Sequence, residues 1–182
     1  LNMKNRVCLE INLSTIKDNL NKISQLVKPC GIIAVLKANA YGLGIIPFAK
    51  SLAEAGISGF GVAELNEALS IAHLGKNVQI LGAVLPSEIP DAVSAGIILP
   101  INDIQTAELI SNESVKQNKT TECHFLIDTG MGRLGIVADE AENIIRRTVK
   151  LPGLDCAGIY THFPVAYQSG GEYTINQIKK FL

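Results

Sequence analysis

The feature that most constrains this chain is a rhythm of short apolar runs without alternation, each separated from the next by an amphipathic stretch of helical length. The runs are GIIAVL at 31–36, GFGVA at 59–63, VQILG at 78–82, GIIL at 96–99, CHFLI at 123–127 and AGIY at 157–160. Strands buried on both faces read this way, and burial on both faces is the habit of parallel sheets. Between the runs, residues 45–55, 64–74, 87–95, 103–112 and 139–150 place apolar side chains at helical spacing, and 174–182 adds a last such stretch. Strand and helix in regular succession imply right-handed βαβ units, which close either as a doubly wound sheet or as a (β/α)8 barrel. The segment after the first run, Lys37-Ala-Asn-Ala-Tyr-Gly-Leu-Gly44, lacks the G-x-G-x-x-G spacing of a dinucleotide-binding turn, which favours the barrel. A barrel needs eight strands. The expected fold is therefore an α/β, TIM-like (β/α)8 barrel that is incomplete, with about six of its eight βα units in this chain.

At 182 residues the chain has the length of a single domain with one core. Ahead of the first buried run, Val7, Leu9, Ile11 and Leu13 alternate with polar or small neighbours, the pattern of a strand with one buried face. Ile16, Leu20, Ile23 and Val27 then mark a helix, with Ser14 placed to cap it and Pro29 to stop it. Ser169, Gly170 and Gly171 read as a flexible loop before the last helix. Sixteen Lys and Arg are scattered among seventeen Asp and Glu, for a net charge of -1, so there is no basic stripe for nucleic acid, whereas a small anionic ligand is compatible. No apolar run approaches the roughly 20 residues that span a bilayer, and no apolar leader opens the chain. A cytoplasmic protein is expected, and Leu1 in place of Met points to a start inside a longer polypeptide, with Met3 as the other candidate. Cys8, Cys30, Cys123 and Cys156 form no C-x-x-C pair and sit in apolar contexts, which favours reduced core thiols over disulfides or metal ligands.

Barrel enzymes work at the C-terminal ends of their strands, and four polar places follow apolar runs. Lys37 ends the first run, where desolvation makes an amine nucleophilic towards a carbonyl; snorkelling to solvent is the plainer reading. Asp128-Thr-Gly-Met-Gly-Arg133 ends the fifth, combining glycines for close approach with a guanidinium matched to a carboxylate; an Asp-Arg pair bracing the turn is the alternative. Thr161-His162-Phe163 ends the sixth and offers an imidazole to stack on a ring, while His73 and His124 read as packing residues. Glu64 and Asn66, after the second run, serve a helix cap as readily as a ligand.

These residues carry a family resemblance. Leu9-Glu-Ile-Asn-Leu13 with Asn19-Leu20, Ala34-Val-Leu-Lys-Ala-Asn-Ala-Tyr-Gly42, Gly61-Val-Ala63 with Glu67-Ala68, Asp128-Thr-Gly-Met-Gly-Arg-Leu-Gly135 and Thr161-His-Phe163 together resemble the N-terminal barrel of the alanine racemases. Those enzymes depend on pyridoxal 5'-phosphate and carry a mainly β domain after the barrel. The resemblance implies Lys37 as the cofactor's Schiff-base lysine and one catalytic base, and Tyr41 beside the cofactor phosphate. It implies Arg133 as catalytic and substrate-binding through the carboxylate, and His162 packed on the pyridine ring. It further implies interconversion of L- and D-alanine, supply of D-alanine for cell-wall peptidoglycan, and a homodimer in which a tyrosine of the partner's β domain supplies the second acid. The serine-bearing phosphate loop, the arginine facing the pyridine nitrogen and the R-P-G segment of that family do not occur here, as expected if residues 1–182 are the N-terminal part of the barrel without the β domain. By itself such a portion is expected to be inactive. Leu126 stands where the family often has a lysine that pairs with Arg133, and Leu43 where many relatives have histidine. Alternatives are a serine or broader amino-acid racemase, a non-catalytic pyridoxal phosphate-binding barrel, and a racemase-like domain in a larger fusion; related decarboxylases share the lysine motif but not the second one.

Overall fold

The computed structural model describes residues 7–168 and 171–182. Leu1, Met3, Ser169 and Gly170, on which the expectations about the start and part of the loop rest, lie outside the described residues. The apolar runs become strands β1 (Ile33–Val35), β2 (Gly59–Val62), β3 (Asn77–Ile80), β4 (Leu99–Ile101), β5 (Thr121–Asp128) and β7 (Leu154–Tyr160), joined by a two-residue β6 (Ile136–Val137). Every strand pairing among the described residues is parallel. β1 pairs β2, β2 pairs β3, β4 pairs β5, and β5 pairs both β6 and β7. A bridge from Gln79 to Ile98, with Ile98 N–H donating to the Val78 carbonyl at 2.9 Å, links the β3 and β4 sides. The succession β1-β2-β3-β4-β5-β7 follows chain order, as in the TIM-like barrel that the sequence implies.

The helices fall where the periodicity places them: α1 (Leu13–Leu26), α3 (Ile45–Glu54), α4 (Leu65–Ala72), α5 (Ile89–Ala95), α6 (Ile104–Lys116), α7 (Ala141–Thr148) and α8 (Glu172–Phe181), with a five-residue α2 (Lys37–Tyr41) following β1. The core lies between strands and helices. Phe60, Val62, Ile80, Leu99 and Ile101 from the strands meet Ile71 and Ile110 from the helices, all removed from solvent, and the area they bury is the main drive for the fold.

Three expectations are corrected. Residues 7–12 form no strand: no neighbour pairs with them, Val7 and Leu9 are exposed, and alternation without a partner strand has nothing to bury against. Asn12 rather than Ser14 caps α1, its Oδ1 accepting from the N–H groups of Ser14 and Thr15. Cys123 is buried and Cys156 half-buried, but Cys8 and Cys30 are exposed thiols rather than core ones. The two marginal strands, which among the described residues each pair on one edge only, are also less covered than their composition predicts, with Ile33 49% exposed on the cavity wall and Ile159 49% exposed. Among the described residues no helix is long and apolar enough to cross a membrane.

Candidate functional site

The chain after β1 takes an unusual course. Ala38, Asn39, Ala40 and Tyr41 all have φ between +53° and +55°, so α2 is a left-handed turn built without glycine until Gly42 ends it at φ +85°. Such a conformation costs roughly 1–2 kcal/mol for each residue with a Cβ. Tertiary hydrogen bonds offset it. The Glu67 carboxylate, on α4, accepts from the Asn39 N–H and the Ala63 N–H, each at 3.0 Å, and Asn39 Oδ1 accepts from the Ile45 N–H at 2.8 Å. Lys37 is thus held at the strand end, with Tyr41 brought round beside it, by a backbone that Glu67 ties to the neighbouring strand end. Strain of this kind concentrates at functional sites.

The turn after β5 is braced through its backbone. Asp128 Oδ1 accepts from Gly130 N–H at 2.9 Å and Oδ2 from Gly132 N–H at 2.9 Å, while Gly130 and Gly132 sit at φ +138° and +71°. The alternative of an Asp-Arg brace is therefore not what holds the turn. Among the described residues Arg133 makes no ion pair, and its guanidinium is free for a ligand. Burial pushes the Asp128 carboxyl up, but the N–H groups of Gly130, Gly132 and Met131 and the charge of Lys180 outweigh it and hold the group below the usual carboxylate range.

Lys37, Tyr41, Arg133 and His162 all line one cavity of about 490 Å³. Its walls are apolar, with Ile33, Val35, Leu81, Leu126 and Leu134, and Asp128, Met131, Tyr160 and Gln79 complete the lining. Strand alternation explains the grouping, because Ile33, Val35 and Lys37, then Leu126 and Asp128, then Tyr160 and His162 are i, i+2 neighbours that share one face of the sheet. The site contains more positive than negative charge. Burial first, then the nearby Arg133 and Lys37 charges, lower the His162 pKa and so favour its neutral imidazole. Glu64, Asn66, His73 and His124 do not line the cavity. His124 instead packs on Gly158, with its Nε2 3.2 Å from Glu122 Oε1.

Sequence reasoning assigned no site role to Tyr160, Gln79 or Glu67. Tyr160 is two residues before His162 on the same strand, so alternation alone places it on the cavity face; its hydroxyl donates to the Leu81 carbonyl at 3.2 Å, and burial pushes its pKa up. Gln79 is reached by the same alternation from Leu81. Glu67 figures only among the residues of the family resemblance, and its tie to the 38–41 turn has no local signal, because the Asn39 N–H lies 28 residues away.

The family model described as alanine racemase, N-terminal domain, matches residues 11–182. The alanine racemase of Desulforamulus reducens is 38% identical over 185 residues, covering 99% of this chain and 50% of that protein. Among solved structures, the alanine racemase of Clostridium difficile 630 in complex with cycloserine superposes with a TM-score of 0.90 at 29% identity, covering 94% of this chain and 48% of that one. The alanine racemase of Bartonella henselae with covalently bound pyridoxal phosphate gives a TM-score of 0.85 at 28% identity, covering 94% and 51%. The chain spans about half the length of the curated relatives it matches.

Proposed function

This chain belongs to the alanine racemase N-terminal domain family, and on that premise we propose that it forms the barrel portion of a pyridoxal phosphate-dependent racemase that interconverts L- and D-alanine. The observation that carries the reading is the convergence of Lys37, Tyr41, Arg133 and His162 on one apolar-walled cavity at the C-terminal ends of parallel strands. These side chains suit the cofactor: a primary amine, a phenol, a neutral imidazole and a guanidinium among apolar walls match an aldehyde-bearing aromatic ring with an anionic arm.

When bound, pyridoxal phosphate supplies an electron sink that makes the Cα–H bond of an attached amino acid acidic. Lys37 Nζ holds the cofactor and then takes or returns the Cα proton on one face. Tyr41 serves the phosphate. The planar fork of Arg133 holds the substrate carboxylate, which fixes the rotation about the Cα bonds. His162, whose pKa its surroundings lower, presents a flat ring for stacking. Leu126 and Leu134 give the same cavity part of its apolar wall.

Half-coverage of the relatives supports placing residues 1–182 as the N-terminal part of a longer protein, for which we propose a cytoplasmic location. It would act as a homodimer, draw its second acid from another chain and supply D-alanine to peptidoglycan synthesis. The test is α-proton exchange of L-alanine in D2O by the whole protein with pyridoxal phosphate. Exchange with appearance of D-alanine is the expected result. Binding of the cofactor without exchange on alanine or serine would instead leave a non-catalytic carrier.

A further inference from the structure

Tyr173, Gln177 and Lys180 stand at i, i+4 and i+7 on α8, the spacing of one helix face. That face meets the turn after β5. The Tyr173 hydroxyl donates to the Gly130 carbonyl at 2.5 Å, and Gln177 Nε2 donates to Thr129 Oγ1 and to the His162 carbonyl, each at 3.4 Å. Thr129 in turn shares a 2.9 Å hydrogen bond with Thr161, so a single buried carboxamide touches the ends of both β5 and β7. Gln177 is only 2% exposed. A polar side chain that deep is costly unless its hydrogen bonds return the cost, and here the two Nε2 bonds alone do so, because Oε1 has no partner among the described residues. Gly130 is required by its φ of +138° rather than by space, since a Cβ there would meet the Tyr173 hydroxyl at 3.5 Å and Gln177 Cγ at 3.8 Å, ordinary contact distances.

We infer that α8 is a clasp, in which Gln177 and Tyr173 are positioning residues that hold the 128–133 turn against the end of β7 and so fix where Arg133 stands relative to Lys37 and His162. Neither side chain lines the cavity. They act through the Thr129 hydroxyl and the Gly130 and His162 carbonyls, in the segments that carry the cavity-lining Asp128, Met131, Arg133 and His162. The effect on the turn stands on these contacts alone; its consequence for substrate rests on the function proposed above.

The experiment uses the whole protein with Gln177→Leu, which removes the hydrogen bonds at similar volume, and Tyr173→Phe, which removes one hydroxyl and leaves the packing. Hydrogen exchange read by mass spectrometry should run at least tenfold faster in the peptide spanning 128–135, which carries the Gly130 and Gly132 amides, while peptides from β2 and β3 keep the parental rate. In cofactor-loaded enzyme, KM for the amino acid should rise at least fivefold with kcat within threefold of the parent, and Gln177→Glu, which lacks the donating amide, should behave as Gln177→Leu does. Parental exchange across 128–135 in both Gln177→Leu and Tyr173→Phe would overturn the clasp, and a parental KM with faster exchange would overturn its positioning role. A parent protein inactive on amino acids would count against the proposed function, and the exchange rates would still decide the clasp.

Discussion

Arg133 lines the cavity with no carboxylate of its own to neutralise it, which is how a guanidinium waits for an anionic ligand. Replacing it by alanine in the whole enzyme should remove about 2 to 4 kcal/mol of transition-state stabilisation, measured as a fall in kcat/KM. Racemisation within threefold of the parent would show that the arginine has no part in the reaction. Glu67 does its work on the protein. Its carboxylate receives two N–H groups from the segments that carry Lys37 and Ala63, and Glu67→Ala leaves both without this acceptor and the left-handed turn without its tether. The expected cost is about 1 to 2 kcal/mol in urea unfolding, because the group is partly solvated; an unchanged midpoint would mean that the turn is held by Asn39 and Gly42 alone. Asp128 adds a pH dependence whose sign follows from its lowered pKa. A carboxyl that ionises more readily folded than unfolded contributes stability above the ordinary carboxylate range, and that contribution is lost as the pH falls through the folded value. Exchange at the Gly130 and Gly132 amides, corrected for intrinsic rates, should therefore accelerate below that range in the parent and much less in Asp128→Asn.

At the scale of elements, burial separates what matters from what does not. Phe60 on β2 is fully buried in the core, so Phe60→Ala should destabilise by about 3–5 kcal/mol, whereas Leu26→Ala on the exposed end of α1 should stay within about 0.5 kcal/mol. Equal effects on the unfolding midpoint would contradict this placement of the core. The same contrast explains what the sequence could and could not disclose. Strands β2 to β5 were legible because an uninterrupted apolar run has one economical use in an α/β fold, burial on both faces. Residues 7–13 looked equally strand-like, but alternation carries no information about whether a partner strand is present. Lys37, Arg133 and His162 were legible from their places after apolar runs. The left-handed course of 38–41 was not, since Ala38, Ala40 and Tyr41 disfavour positive φ and Asn39 alone tolerates it; the conformation is held by Glu67 from another element and by Asn39 on Ile45. Gln177 was hidden for the same reason, its partners lying at two strand ends outside its own helix.

For the molecule as a whole, the two margins of the parallel sheet set the limits of what residues 1–182 can do by themselves. β1 and β7 each pair on one edge, and the cavity opens between them with Ile33 and Val35 half in solvent. Unpaired edges favour association over a shaped pocket, and if the second acid comes from another chain, as proposed above, its loss forgoes roughly 10² to 10⁴ in rate. The 182-residue chain supplied with pyridoxal phosphate should therefore show no racemisation of L-alanine by optical rotation; a rate near that of intact racemases would mean that residues assigned here to packing supply the second acid. The claim on which the functional reading depends is that Lys37 is the residue holding the cofactor. It is tested most directly by loading the whole protein with pyridoxal phosphate, fixing the cofactor to its anchoring residue with borohydride, and mapping the modified peptide by mass spectrometry. The expected result is the label on Lys37 within the Lys37-Ala-Asn-Ala-Tyr41 segment, and its appearance on any other lysine with Lys37 unmodified would contradict it.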